Sequence, residues 1–72
     1  MLVNIYNQND LDYLLQVLEE KGYRWMSGTL PTRLRPGLRS NFYLHIFAVH
    51  KRIAYGFDEE GDTGFNEVFD RI

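Results

Sequence analysis

The reactive and ligating side chains in this sequence are few and widely spaced. His45 and His50 are its only histidines, and it has no cysteine. A structural zinc site takes four ligands, so without cysteine these two imidazoles would need carboxylates from distant segments. A strand running through both would also place them on opposite faces, because side chains alternate. The acidic run "DEEGD" at 58–62 lacks the twelve-residue ligand spacing and closing bidentate glutamate of a calcium loop, so it reads as a solvated turn. Ser27 and Ser40 have no nucleophile-elbow motif around them, and Glu59 and Glu60 are adjacent, so they diverge instead of facing one substrate. "GDTG" does not follow a strand and open a phosphate-cradling helix. A chain of 72 residues also has little spare structure for positioning a catalytic group. The expectation is a protein with no catalytic residue, no bound metal and no cofactor, acting by binding.

The charges are more informative. From Lys21 to Phe57 there is no aspartate or glutamate, while Lys21, Arg24, Arg33, Arg35, Arg39, Lys51 and Arg52 supply seven cations. All ten carboxylates lie outside that segment, and the formal net charge is -2. The cations sit among Tyr23, Trp25, Tyr43 and Phe47. Stackable rings beside cations are what single-stranded nucleic acid favours. Against that reading, the sequence pI of about 5.5 is far from that of a dedicated basic domain, and no nucleic-acid motif is present. Tyr, Trp, Phe and Arg are equally the residues enriched at protein interfaces.

The elements that position these groups follow from periodicity. "LVNIY" at 2–6 is β-branched and aromatic enough for a short first strand. Asn9 or Asp10 is the expected cap of a helix over 10–21, whose apolar residues at 11, 14, 15 and 18 make one face. Gly22 supplies the left-handed residue that ends it. In "GYRW", Tyr23 and Trp25 share one face of an extended segment as core anchors, Arg24 points away, and Ser27-Gly28 ends the strand. The stretch 29–41 contains Pro31, Pro36 and three arginines and reads as a long loop. "FYLHIFAV" (42–49) is the strongest strand, with a turn at His50-Lys51 and a partner strand at 52–57. Tyr43, His45, Phe47 and Val49 lie on one face of the first; Arg52, Ala54 and Gly56 lie opposite Ile53, Tyr55 and Phe57 on the second. In "FNEVFDRI" the apolar positions 65, 68, 69 and 72 fit a short helix capped at Thr63, with strand or coil as the alternative.

The chain is therefore expected to be one α+β domain over 1–72. It has two layers in β-α-β-β-β order, a mostly antiparallel sheet of three or four strands, a main helix at 10–21 and a short C-terminal helix. Its composition, 44% hydrophobic and 15% aromatic, is that of a folded chain. With no cysteine framework, no apolar segment near ~20 residues and an opening "MLVNIYNQND" unlike a signal peptide, the expected compartment is the cytoplasm. One helix can cover only one face of the sheet, so the terminal segment, the arginine-bearing loop or another subunit is expected to shield the other.

"GYRWMSG", followed by a proline-containing loop and a strand pair ending "RIAYG", resembles a family of small uncharacterised phage- and prophage-encoded proteins of Gram-positive bacteria. The matching positions are Gly22, Tyr23, Trp25, Ser27, Gly28, Arg52, Ile53, Tyr55 and Gly56. The resemblance spans 11 to 57 and implies an accessory cytoplasmic protein with no assigned activity; it carries over no catalytic residue. The function expected from these readings is accessory or regulatory and non-enzymatic. It works through protein–protein contact, with a second copy or a host protein as partner, and without membrane or metal. The alternative is single-stranded nucleic-acid binding by the 33–52 region. The expected contact residues are Arg33, Arg35, Arg39, Tyr43, His45, Phe47 and Arg52, with Trp25 assigned to the fold.

Overall fold

A computed structural model describes all residues 1–72. Its element order is β1 (Leu2–Asn4), α1 (Gln8–Glu20), β2 (Arg24–Trp25), a 3-10 turn (Pro31–Arg33), β3 (Tyr43–Phe47), β4 (Arg52–Gly56) and α2 (Phe65–Val68). This is the α+β order expected, with one main helix and a short terminal one. The four strands form one sheet in the order β1-β3-β4-β2, in which β1/β3 and β3/β4 are antiparallel and β4/β2 is parallel. The sheet is thus mixed. β1 and β2 run the same way at opposite edges, joined by α1, and the β3–β4 hairpin occupies the space between them.

The apolar stripe of α1 is buried as its spacing requires, with Leu11, Leu14, Leu15 and Leu18 all fully enclosed. The helix begins earlier than expected. Asn7, and neither Asn9 nor Asp10, is its cap, because the Asn7 Oδ1 accepts the Asp10 N–H at 2.8 Å. At the other end Tyr23 N–H donates to the Leu18 carbonyl at 3.0 Å and Gly22 N–H to that of Glu19 at 3.1 Å. Gly22 has φ +89°, and this pair of bonds is the Schellman arrangement that closes a helix on a left-handed residue. The bonds hand the chain from the helix into β2, with Tyr23 already in the core.

Three local corrections concern lengths. The first strand is Leu2–Asn4 instead of 2–6, and Tyr6 is exposed. The central hairpin pairs Tyr43–Phe47 with Arg52–Gly56, so the turn is Ala48–Lys51 and not His50-Lys51 alone. Lys51 takes the left-handed conformation there (φ 56°) without a glycine. The terminal helix is capped at Gly64, whose N–H donates to Glu67 Oε1 at 3.3 Å, and not at Thr63.

The core lies between α1 and one sheet face: Val3, Leu44, Ile46, Ile53 and Trp25 from the strands, with Ile5, Tyr23, Phe42 and Val68 around them. The long loop belongs to this side. Glu19 Oε1 accepts both the N–H (3.0 Å) and the hydroxyl (2.7 Å) of Thr32, and Arg35 pairs with Asp12 of α1 at 2.7 Å. The tail is on this side too, with the Tyr13 and Phe69 rings 5.5 Å apart and Val68 fully buried. No helix is long and apolar enough to cross a membrane.

Candidate binding surface

Register alone assigns every strand residue to a face. Val3 pairs with Leu44 and Leu44 with Tyr55; Ile46 pairs with Ile53 and Ile53 with Trp25. That face lies against α1. The opposite face carries Leu2 beside His45, Asn4 beside Tyr43, Tyr43 beside Gly56, His45 beside Ala54, and Phe47 and Arg24 beside Arg52. Every residue in this second set is half-buried, whereas those facing α1 are enclosed except Tyr55. The loop and the tail pack on the helix side, so the chain covers one sheet face and leaves the other open. Of the three expected shields, the terminal segment and the arginine-bearing loop lie on the helix side, which leaves another subunit.

The open face has a definite chemistry. The His45 and Phe47 rings stack 4.0 Å apart at 27°. The Tyr43 ring lies across Gly56; a Cβ there would come within 2.5 Å of Tyr43 Cζ. Glycine at 56 is thus what lets a large ring lie flat on the sheet. Arg52 donates to the Lys51 carbonyl at 3.2 Å and Arg24 to that of Tyr23 at 2.7 Å, and neither has a carboxylate within 4.0 Å. β2, β3 and β4 contain no aspartate or glutamate. Glu19 is held below its usual range mainly by the two Thr32 hydrogen bonds, with Arg24 and Arg33 adding less.

Four of the seven expected contact residues, Tyr43, His45, Phe47 and Arg52, are brought together on this face. Arg33, Arg35 and Arg39 are not. Arg35 is paired with Asp12, Arg39 lies over the Phe57 ring at 5.0 Å, and Arg33 sits in the 3-10 turn near the Glu19 end of α1. Lys51 also turns away, its Nζ 4.7 Å from the centroid of the buried Tyr23 ring. Leu2, Asn4, Ala54, Gly56 and Arg24 complete the face. The alternation of β4 and the outward direction of Arg24 were readable from the sequence; the pairing that adds β1 was not. Trp25 is 4% exposed and donates through Nε1 to the Pro31 carbonyl at 3.1 Å, a fold anchor as expected.

A second concavity of about 380 Å³ lies between the end of β1, the start of α1 and residues 61–65. Its polar groups are occupied in holding the chain together. Asn4 donates to the Phe42 and Glu59 carbonyls at 3.1 and 2.9 Å and accepts the Gly61 N–H at 2.6 Å. Asp62 accepts the Leu2 N–H at 2.9 Å and the Thr63 hydroxyl at 2.8 Å, which keeps its carboxyl below the usual range. These contacts cap the outer edge of β1, the standard protection of an edge strand. No group of three or more His, Asp or Glu side chains gathers where a metal ion could be held. No protein-family model, curated protein or solved structure matches this chain, so the reading of its surfaces rests on their geometry.

Proposed function

We propose that this chain is a non-enzymatic accessory protein of the cytoplasm that works by protein–protein contact through the open face of its sheet. A second copy of the chain is the first partner to be considered. The observation that carries the reading is the composition of that face: Tyr43, His45, Phe47, Leu2, Arg24 and Arg52, with no lysine, aspartate or glutamate. Depletion of lysine and carboxylates together with enrichment in aromatics and arginine is the signature of an interface core. The resemblance to phage- and prophage-encoded proteins gives the setting in which such an accessory role would operate.

Size-exclusion chromatography with light scattering across the micromolar range tests the self-pairing. The expected result is a mass rising from 8.6 kDa toward twice that value. Phe47→Asp should return it to 8.6 kDa while keeping the far-UV circular dichroism of a folded chain. A strict monomer at high micromolar concentration removes the self-pairing.

One observation favours a second reading. The stacked His45 and Phe47 rings, with Arg52 in register beside Phe47, also form a platform for an unstacked base, worth about 1–3 kcal/mol per base where such stacking occurs. Titration with single-stranded oligonucleotides would then show affinity falling steeply with salt, and absence of binding at low salt eliminates it.

A further inference from the structure

The sheet guards two of its edges and leaves a third stretch bare. The outer edge of β1 is capped by Asp62 and Thr63, whose N–H groups both donate to the Leu2 carbonyl at 2.8 and 3.0 Å. The outer edge of β2 is closed by its own turn: Trp25 N–H donates to the Thr29 carbonyl at 2.9 Å, and Gly28 N–H to that of Trp25 at 2.8 Å. β2 is only two residues long, however, and β4 outruns it. Arg24 N–H donates to the Lys51 carbonyl and Met26 N–H to that of Ile53, so residues 51 and 53 direct their backbone groups toward β2. Alternation then directs the N–H and C=O of Tyr55 the same way, past the point where β2 has turned off. Neither group takes part in any of the backbone hydrogen bonds made outside the strand pairings.

An apolar slot of about 250 Å³ opens at this place, lined by Trp25, Met26, Leu34, Ile53 and Tyr55. Met26 is 63% exposed, Tyr55 43% and Leu34 37%. Single exposed apolar residues are ordinary, but three around one slot beside unpaired backbone mark a contact site. The Phe57 ring follows, 6.0 Å from that of Tyr55, with the Arg39 guanidinium over it. Arg39 has no carboxylate within 4.0 Å, although Asp58 shares its cleft, and the segment 21–57 that supplies the slot and its rim contains no acidic residue.

We infer that the bare edge of β4 at Tyr55 receives an extended acidic segment of a partner protein. The segment pairs with the Tyr55 backbone, puts one aliphatic side chain into the slot against Met26 and Leu34, and sets a carboxylate on Arg39. This is strand addition, in which backbone hydrogen bonds supply the docking and the side-chain slot the selectivity. The surface meets the open sheet face only at Ala54 and does not depend on that reading.

The test is a titration of the isotope-labelled chain with the peptide acetyl-Glu-Val-Leu-Val-Glu-Glu-amide, with acetyl-Lys-Val-Leu-Val-Lys-Lys-amide as the charge-reversed control. Exchange at the Tyr55 amide should be fast in the free chain, and the acidic probe should slow it and shift the Tyr55 amide and the Met26 methyl. Leu34→Asp should abolish the response. Arg39→Gln should weaken binding by roughly threefold, the scale of one exposed ion pair. Phe47→Asp should leave binding unchanged, which separates this site from the sheet face. The inference is overturned if the Tyr55 amide is already protected in the free chain, if the basic probe binds as well as the acidic one, or if millimolar acidic probe leaves Tyr55 unmoved.

Discussion

Replacing Trp25 by alanine tests the fold at the point where its parts converge. The ring is 4% exposed, meets the Tyr55 ring edge-on at 5.7 Å and donates from Nε1 to the buried Pro31 at 3.1 Å. It therefore ties β2, β4 and the long loop together. Truncating a buried tryptophan costs about 3–5 kcal/mol from lost transfer energy and the cavity left behind. A domain of 72 residues at about 0.05–0.15 kcal/mol per residue holds only about 4–11 kcal/mol in total. Each kcal/mol moves the midpoint of a domain this size by about 4–8 °C, so the melt should fall by about 12–40 °C, or the chain should be unfolded at room temperature. Far-UV circular dichroism is the appropriate readout, since Trp25 is the sole tryptophan and its removal leaves only tyrosine emission. Trp25→Phe keeps a ring in the core and loses chiefly the Pro31 hydrogen bond, so about 1–2 kcal/mol is expected. A Trp25→Ala protein melting within a few degrees of the parent would refute the placement of this ring as the junction of sheet and loop.

Two glycines predict contrasting costs. A Cβ on Gly61 would stand 2.5 Å from the Leu2 carbonyl oxygen and 3.0 Å from the Asn4 nitrogen, both backbone, whereas at Gly56 its nearest neighbours are the hydroxyl and ring edge of the Tyr43 side chain. Gly61→Ala should therefore cost about 1–3 kcal/mol by displacing the edge cap, and Gly56→Ala clearly less, read from urea midpoints. The pH dependence follows from Glu19 and Asp62, whose carboxyls are held low by the Thr32 donors and by the Leu2 N–H and Thr63 hydroxyl respectively. A carboxyl lowered by folding stabilises above its unfolded value, and the gain is lost as pH falls through the folded one. The melt should thus decline below the ordinary carboxylate range. The double variant Glu19→Gln, Asp62→Asn should show a shallower acid limb, and an unchanged slope would contradict the hydrogen bonds described.

Which parts of this were legible in the sequence depends on the range of the interaction that sets them. The α1 stripe at 11, 14, 15 and 18 and the Gly22 stop are local, and both are found. The helix start was misplaced onto Asn9 or Asp10, because within the polar run "NQND" it is the Asn7 oxygen that reaches a free amide, Asp10 N–H. Strand parity placed Tyr43, His45 and Phe47 on one side and Ile53 and Tyr55 on the other, because alternation is a property of the chain itself. It could not place Arg33, Arg35 and Arg39, since loop residues follow no parity. Their side of the molecule is fixed by Thr32 reaching Glu19 and Arg35 reaching Asp12, contacts between segments far apart in sequence. The parallel seat of β2 beside β4 was equally hidden, for a two-residue strand carries no pattern that names its neighbour.

The open face persists because of what lies on it, not because the chain runs out. α1 is about 20 Å long at 1.5 Å per residue, and its leucines enclose Val3, Leu44, Ile46 and Ile53, so one helix with its flanking segments suffices for one face. The loop and α2 add their apolar residues to that same layer, since Phe42, Phe57, Phe65 and Phe69 give them rings to meet there. Across the sheet, Asn4, Ala54, Gly56 and Arg52 alternate with Tyr43 and Phe47 and offer little continuous apolar area. An antiparallel hairpin tolerates such a face in water, so nothing in the fold demands a lid. Under the contact proposed above, recognition on this face would rest on the placed rings and arginines, while the isolated chain does not need an occupant there to fold.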